Sequence, residues 1–200
     1  MDTNTFMTVV IPDTYTYYWN ISPSKVFSKL FANYKEYWTE ERVRKAKAQG
    51  LTPAQAYTLA SIVEEETNAT EEKGNIASVY LNRFNKGMNL GADPTVKYAL
   101  RDFGLKRIYE KHLLVSSPYN TYRNRGLPPG PICTPSRSSI EAVLNAPTTE
   151  YFYFVAKRGS GGRHQFSKTY AEHLDYARQY HKGLDSVMQN KKAADEKSPR

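Results

Sequence analysis

The stretch from Thr52 to Thr67 limits the fold more than any other part of this sequence. Thr52 is a good N-cap, and Pro53 suits the first helical position, where its fixed φ is already helical and its missing N–H would have had no partner. Ala56, Leu59, Ala60 and Val63 then recur at the i, i+3, i+4, i+7 spacing of one helix face. A helix running to about Glu66 turns that stripe inward and offers the rest of the chain a surface to pack on. Three glutamates end it, and helical geometry treats them unequally. Glu66, three residues after Val63 and seven after Leu59, continues the stripe toward the interior. Glu65 follows Thr58 and Ser61 on the face expected to meet water, and Glu64 lies between, beside Tyr57 and Ala60.

A carboxyl at the end of an apolar stripe loses solvent, which favours its neutral form and raises its pKa, as a general acid near neutrality requires. The helix C-terminal dipole and the two neighbouring carboxylates push the same way. Glu66 is therefore the first candidate for an acid and Glu64 the second. On the pattern alone, an ordinary solvated acidic helix end stands beside that reading.

Around this helix the chain reads as α+β, mostly helical with a small antiparallel sheet. The 200 residues are enough for one medium domain with a sizeable core. Phe6 to Ile11 reads as a short strand, stopped by Pro12-Asp13 and followed by a second extended piece from Tyr15 to Trp19. Ser22-Pro23-Ser24 opens a helix with Val26, Phe27, Leu30, Phe31 and Tyr34 on one face, and another covers about 39 to 48, ending at Gly50. A helix from about Glu71 to Lys86 buries Ile76, Val79, Tyr80 and Phe84. From Asn89 to Pro135 the proline-rich chain reads as loops, with one short helix near 105 to 112. Ser136 to Leu144 is helical, capped by Ser136 or Ser138. Tyr151 to Ala156 is the clearest strand, paired through a Gly159-Ser160-Gly161-Gly162 turn with His164 to Phe166. The last helix, about 168 to 188, is amphipathic through Tyr170, Leu174, Ala177, Leu184 and Val187, and 189–200 is a polar tail.

Composition removes several classes. The lone Cys133 cannot pair within the chain, which excludes a cystine scaffold and a multi-cysteine metal site. No apolar run approaches the roughly 20 residues of a membrane span, and the N-terminus lacks the build of a secretion signal, so the residues given are expected to be soluble. The net charge of +8 suits nucleic acid, anionic lipid or an acidic polymer. However, the bases are scattered, and Glu40 and Glu41 interleave with the densest group. No nucleic-acid recognition module is legible, so nucleic acid is not expected as a partner. His112, His164, His173 and His181 show no ligand spacing, and the glycine loop lacks the lysine of a phosphate loop. No metal and no cofactor are expected.

Six ordered blocks resemble the MltG/YceG family of endolytic murein transglycosylases. They are Ala60 to Thr67; Ala77 to Arg83; Gly87 to Val96; Ser117 to Tyr122; Gly126 to Ile132; and Tyr151 to Ala156, and the early Ile11-Pro12-Asp13-Thr14-Tyr15 resembles the family's entry into the domain. The resemblance spans about residues 9 to 180. It implies a catalytic domain over 1–188 with a lysozyme-like catalytic helix end and a cleft lined by the loops of 89 to 135. The implied reaction cuts the glycan strand of peptidoglycan between N-acetylmuramic acid and N-acetylglucosamine and leaves a 1,6-anhydromuramyl end. One glutamate serves as acid and base, because the muramyl C6 hydroxyl replaces the water that ordinary glycosidases activate with a second carboxylate. Glu66-Thr67 resembles the Glu-Ser pair of lysozyme-like lytic transglycosylases.

By the same resemblance Asp93, Asn120, Tyr122 and Thr67 are candidate substrate contacts. Asp93 before a proline is also a turn former, and Asn120 and Tyr122 also fit a proline-led turn. Gly91-Ala92 stands where the family often carries bulkier polar residues. Asn82 and Arg83 suit an internal hydrogen bond or ion pair as well as substrate. Family members place a transmembrane helix and a LysM-like domain ahead of the catalytic domain. The expectation is therefore a truncated homologue, anchored only through such a segment, on the extracytoplasmic side of the bacterial cytoplasmic membrane, with glycan strands and peptidoglycan synthases as partners. Three rivals stand beside it: a lysozyme-type muramidase with Asp93 as second carboxylate, a non-catalytic wall-binding or synthase scaffold module, and a nucleic-acid binder.

Overall fold

The helix that dominates the sequence is the centre of the fold. In the computed structural model, which describes residues 2–157 and 159–180, the first three helices are α1 (Pro23–Tyr37), α2 (Glu40–Ala48) and α3 (Pro53–Glu66). They are followed by α4 (Lys73–Asn85), α5 (Asp93–Leu100), α6 (Glu110–Leu113) and α7 (Arg137–Leu144). The strands are β1 (Tyr153–Ala156) and β2 (His164–Ser167), and a further helical run, α8, covers 170–180. Two compact units divide the chain, Met1–Thr149 and Glu150–Arg200.

In the first unit α3 packs against α2, α4, α5, α7 and a 3-10 turn at Phe6–Val9. Its start is a capping box: Gln55 N–H donates to Thr52 Oγ1 at 3.3 Å, and Thr52 N–H donates to Gln55 Oε1 at 2.9 Å. Ala56 to Val63 are all buried. Fully buried Leu59, Ile62 and Val63 each contribute on the order of 2 kcal/mol of transfer free energy. Burial goes all the way round, which corrects the expected wet face at Thr58 and Ser61. The proline-rich loop covers that side, with Ile132 N–H donating to Ser61 Oγ at 3.0 Å and Cys133 Sγ–H to the Ser61 carbonyl at 3.3 Å. Thr58 and Ser61 tolerate burial because their hydroxyls donate to the Ala54 and Thr58 carbonyls of their own helix.

The helix expected to open at Ser22-Pro23-Ser24 forms, and those expected over 39–48, 71–86 and 136–144 form with boundaries within two residues. Along α1 the predicted stripe becomes an aromatic row, in which Phe6, Phe27, Phe31 and Tyr34 stack with successive centroids 5.4, 6.1 and 6.0 Å apart. Three expectations fail. Phe6–Val9 is a 3-10 turn, and Phe6 to Ile11 carries no strand. Asp2 Oδ1 accepts from the Asn4 and Thr5 amides, and among the described residues no neighbouring strand offers the pairing that β-branched residues would exploit. Tyr15 to Trp19 likewise carries no strand. The loop-rich centre also contains α5, in which Asp93-Pro94 starts a helix instead of a turn. Proline in the first helical turn forfeits no hydrogen bond, so the same dipeptide serves both geometries.

Gly130 lies so close to the N-terminal turn that a Cβ there would sit 2.1 Å from the Asn4 carbonyl oxygen. Gly130→Ala is therefore expected to displace residues 2 to 5 at a cost of about 1–3 kcal/mol. Faster limited proteolysis at that end and a lower melting temperature would report it; unchanged cleavage would count against the close approach.

In the second unit β1 and β2 pair antiparallel in the register Tyr153↔Ser167, Phe154↔Phe166, Val155↔Gln165 and Ala156↔His164. Gly159, Gly161 and Gly162 take φ of 66°, 68° and 90° in the connecting turn, a region that only glycine enters at no steric cost. The observed architecture is the expected mostly helical α+β arrangement with a small antiparallel sheet. Leu184, Val187 and the 189–200 tail lie outside the described residues. Among the described residues no helix is long and apolar enough to cross a membrane.

Candidate active site

The three glutamates at the end of α3 go to three environments. Glu65 is exposed. Glu64 turns to the start of α7, where Oε2 accepts from Ser136 N–H at 3.2 Å, Ser136 Oγ–H at 2.6 Å and Ser139 Oγ–H, and from Lys73 Nζ of α4 at 3.0 Å. Burial would raise its pKa, but the hydrogen bonds from Ser136, Ser139 and Lys73 outweigh that and hold the carboxyl down at about 2. Such a group is a committed carboxylate at neutral pH, held at a helix N-terminus where negative charge is favoured.

Glu66 has the opposite character. Its Oε1 accepts a 2.5 Å hydrogen bond from the phenol of Tyr80, and the residue keeps part of its surface in solvent. Burial of the carboxyl pushes its pKa up to about 7, helped by the negative charge of Asp93 and opposed by Tyr80, Arg83 and Lys97. Tyr80 itself is buried on α4, where burial and then the charge of Glu66 push its phenol well above the ordinary value.

Asp93 opens α5 at the surface and accepts a 2.5 Å hydrogen bond from Tyr122. Burial and this contact raise the Tyr122 phenol. Glu66, Tyr80, Arg83, Asp93, Lys97 and Tyr122 thus form one electrostatic cluster, in which charges on α4 and α5 bear on the end of α3. Gly91 borders it. At φ +59°, a Cβ there would meet Arg83 Nη1 at 3.4 Å and the Tyr122 ring at 3.7 Å, and Arg83 Nη1 donates to the Leu90 carbonyl at 2.5 Å. A Cβ at those distances would make only ordinary contact, so it is the positive φ that favours glycine at this corner.

Two predicted contacts serve the scaffold instead. Asn120 is fully buried; its amide donates to the Leu113 and Val115 carbonyls, each at 2.9 Å, and its Oδ1 accepts from Tyr122 N–H at 3.1 Å. The expectation that Asn120 touches substrate is corrected: its polar atoms are spent fixing the loop that presents Tyr122. Thr67 is buried as well, with Oγ1 accepting from Ala69 N–H at 3.0 Å in the turn after α3. Asn82 donates to the Thr149 carbonyl at 2.9 Å, as an internal hydrogen bond. Cys133 has its thiol pushed up to about 12 by burial and by Glu65 and Glu64, and is inert at neutral pH. Among the described residues no three His, Cys, Asp or Glu side chains come together as a metal site.

Sequence reading missed the part of Tyr80, placed only on a buried face. The signal available was chemical: a phenol on an apolar face still needs a partner for its hydroxyl.

The sequence model of the YceG-like family matches residues 2–179. This chain belongs to the YceG-like family. The YceG-like chain is 47% identical over 116 residues to an endolytic murein transglycosylase of Bacillus subtilis, covering 58% of this chain and 31% of that protein. It is 33% identical over 139 residues to an endolytic murein transglycosylase of Streptococcus pneumoniae, covering 64% and 25%. A 2.6 Å crystal structure of a yceG-like protein from Listeria monocytogenes superposes with a TM-score of 0.72 at 36% identity, over 84% of this chain and 53% of that one. The YceG-like chain therefore spans about a third or less of the length of the curated relatives it matches.

Proposed function

We propose that this chain is the catalytic part of an endolytic peptidoglycan transglycosylase that cleaves the bond between N-acetylmuramic acid and N-acetylglucosamine. The observation that carries the reading is Glu66, a partly exposed residue at the end of a buried helix whose desolvated carboxyl has a pKa near 7 and is held by Tyr80 at 2.5 Å; the names of the curated relatives supply the substrate class. Glu66 as acid gives its proton to the glycosidic oxygen while the muramyl C1–O bond breaks. The resulting carboxylate takes the proton of the muramyl C6 hydroxyl as O6 closes on C1. The products are a 1,6-anhydromuramyl end and a free N-acetylglucosamine hydroxyl; no water is consumed and the carboxyl is restored.

A single residue can hold both offices because a pKa near the working pH makes both protonation states accessible. Glu64, held near 2, cannot supply a proton at neutral pH. Asp93 and Tyr122, paired at the mouth of the cluster, are the contacts assigned to sugar hydroxyls. On the same reading the whole protein works on the extracytoplasmic side of the cytoplasmic membrane, beside peptidoglycan synthases, and a net charge of +8 suits that anionic setting.

Mass spectrometry of fragments released from purified glycan strands tests the proposal. Anhydro-ended fragments are the expected result. Reducing ends would replace it with a hydrolase using Asp93, and binding without fragments with a wall-binding module. The acid form of Glu66 starts the reaction, so the rate is expected to be level below its pKa and to fall tenfold per unit as pH rises beyond about 7. A rate that keeps rising through pH 8 would contradict this assignment.

A further inference from the structure

As a single acid and base, Glu66 has two carboxyl oxygens of which one carries the proton, and its surroundings distinguish them. Tyr80 holds Oε1 at 2.5 Å. Among the described residues Oε2 accepts no hydrogen bond, and it is not sealed from solvent. One oxygen is therefore tied to a core hydroxyl and the other is left without a donor among the described residues.

We propose that Tyr80 is a positioning residue for Glu66, whose phenol pins Oε1 so that Oε2 alone carries the proton given to and taken back from the glycan. The proposal rests on Glu66 being the acid and base. Tyr80 is 1% exposed on α4, a helix packed directly against α3, so its ring has little freedom to follow a wandering carboxyl. Burial keeps its phenol protonated across the working pH range, which makes it a donor throughout the cycle. The O···O distance is that of a charge-assisted hydrogen bond. Such a bond strengthens as the carboxylate forms, so it stabilises the state between the two proton transfers more than the resting acid. The other groups bearing on Glu66 are Arg83 from α4, Asp93 and Lys97 from α5, and Tyr122 from the loop that pairs with Asp93; Glu64 and Glu65 are its neighbours on α3. The first three act through space, and Glu64 is tied up at α7.

The test compares the wild-type chain with Tyr80→Phe, which keeps the ring and removes the hydroxyl. Two quantities are followed: the Glu66 carboxyl titration, by carbon-13 NMR with Glu66→Gln assigning the signal, and the pH profile of glycan cleavage. Losing a hydrogen bond to the charged form is expected to raise the titration midpoint by about one unit. The alkaline limb of the profile should move up with it, while kcat drops about 10- to 100-fold and KM changes little. A lower rate with both the midpoint and the limb unmoved would make Tyr80 merely structural and overturn the proposal. Should Tyr80→Phe fail to fold, 3,5-difluorotyrosine at position 80, a stronger donor of nearly the same shape, must shift the midpoint downward; an unmoved midpoint overturns the proposal equally. If the wild-type chain cleaves no glycan, the catalytic reading fails by itself, and the carboxyl titration still decides whether Tyr80 holds Glu66.

Discussion

Exchanging Glu66 for glutamine is expected to lower the release of anhydro-ended fragments by about 10²- to 10⁴-fold, the range attributed to a positioned acid or base. Glutamine keeps the shape and can still accept the Tyr80 hydrogen bond, so the helix end should stay in place while the titrating proton is gone. Stability gives an independent check. Glu66 binds its proton more tightly folded, at about 7 against an ordinary 4.5, so the folded state holds more protons between those values. Its contribution therefore favours folding least at high pH, and stability is lost as pH rises from about 4.5 through 7. The glutamine variant lacks that penalty and is expected to be at least as stable as the wild type at pH 8, measured by urea unfolding. A variant that unfolds readily would make Glu66 a structural residue, and one that retains activity would end its assignment as acid.

Glu64→Gln is expected to show the reverse pattern, with stability lost first. Its carboxylate is the common acceptor for Ser136, Ser139 and Lys73, and the Lys73 side chain is only 6% exposed beside a Glu64 side chain at 28%. A neutral amide leaves a buried ammonium without its counter-charge, at a cost of about 3 kcal/mol. The pKa route agrees: depression from 4.5 to about 2 corresponds to about 3 kcal/mol of stability. For a depressed carboxyl that stability is fully present above about 4.5 and disappears as pH falls toward 2. The melting temperature of the variant should fall by about 10 °C at pH 7, with the difference from wild type closing by pH 2. An equal melting temperature at pH 7 would show that the cluster at the start of α7 contributes nothing, and retained cleavage in a folded Glu64→Gln chain is required if Glu66 is the acid.

Much of the helical frame was legible because its signals are local. Thr52-Pro53, Ser22-Pro23 and Ser136 mark helix starts through groups within one turn, and the glycine turn after Ala156 demands a hairpin through backbone sterics. The misreadings occurred where a local signal has two outcomes. Asp93-Pro94 starts a turn or a helix with equal ease, and Thr95 and Val96, buried against the first unit's core, settle it as α5. The β-branched run at Phe6 to Ile11 needed a strand partner that the fold does not supply.

The candidate site divides the same way. Periodicity alone set Glu66 apart from Glu65, because seven residues span two helical turns and the stripe from Leu59 carries on to it. It could not separate Glu66 from Glu64 by chemistry, since their protonation depends on what arrives from elsewhere in the chain. Ser136 and Ser139 reach Glu64 from 72 and 75 residues away, Tyr80 reaches Glu66 from 14, and Asn120 turns inward to the Leu113 and Val115 carbonyls. A helix face is determined by neighbours in sequence. Solvation and charge pairing, which decide whether a carboxyl holds its proton near pH 7 or gives it up near pH 2, are determined only when α4, α5 and α7 close around the end of α3.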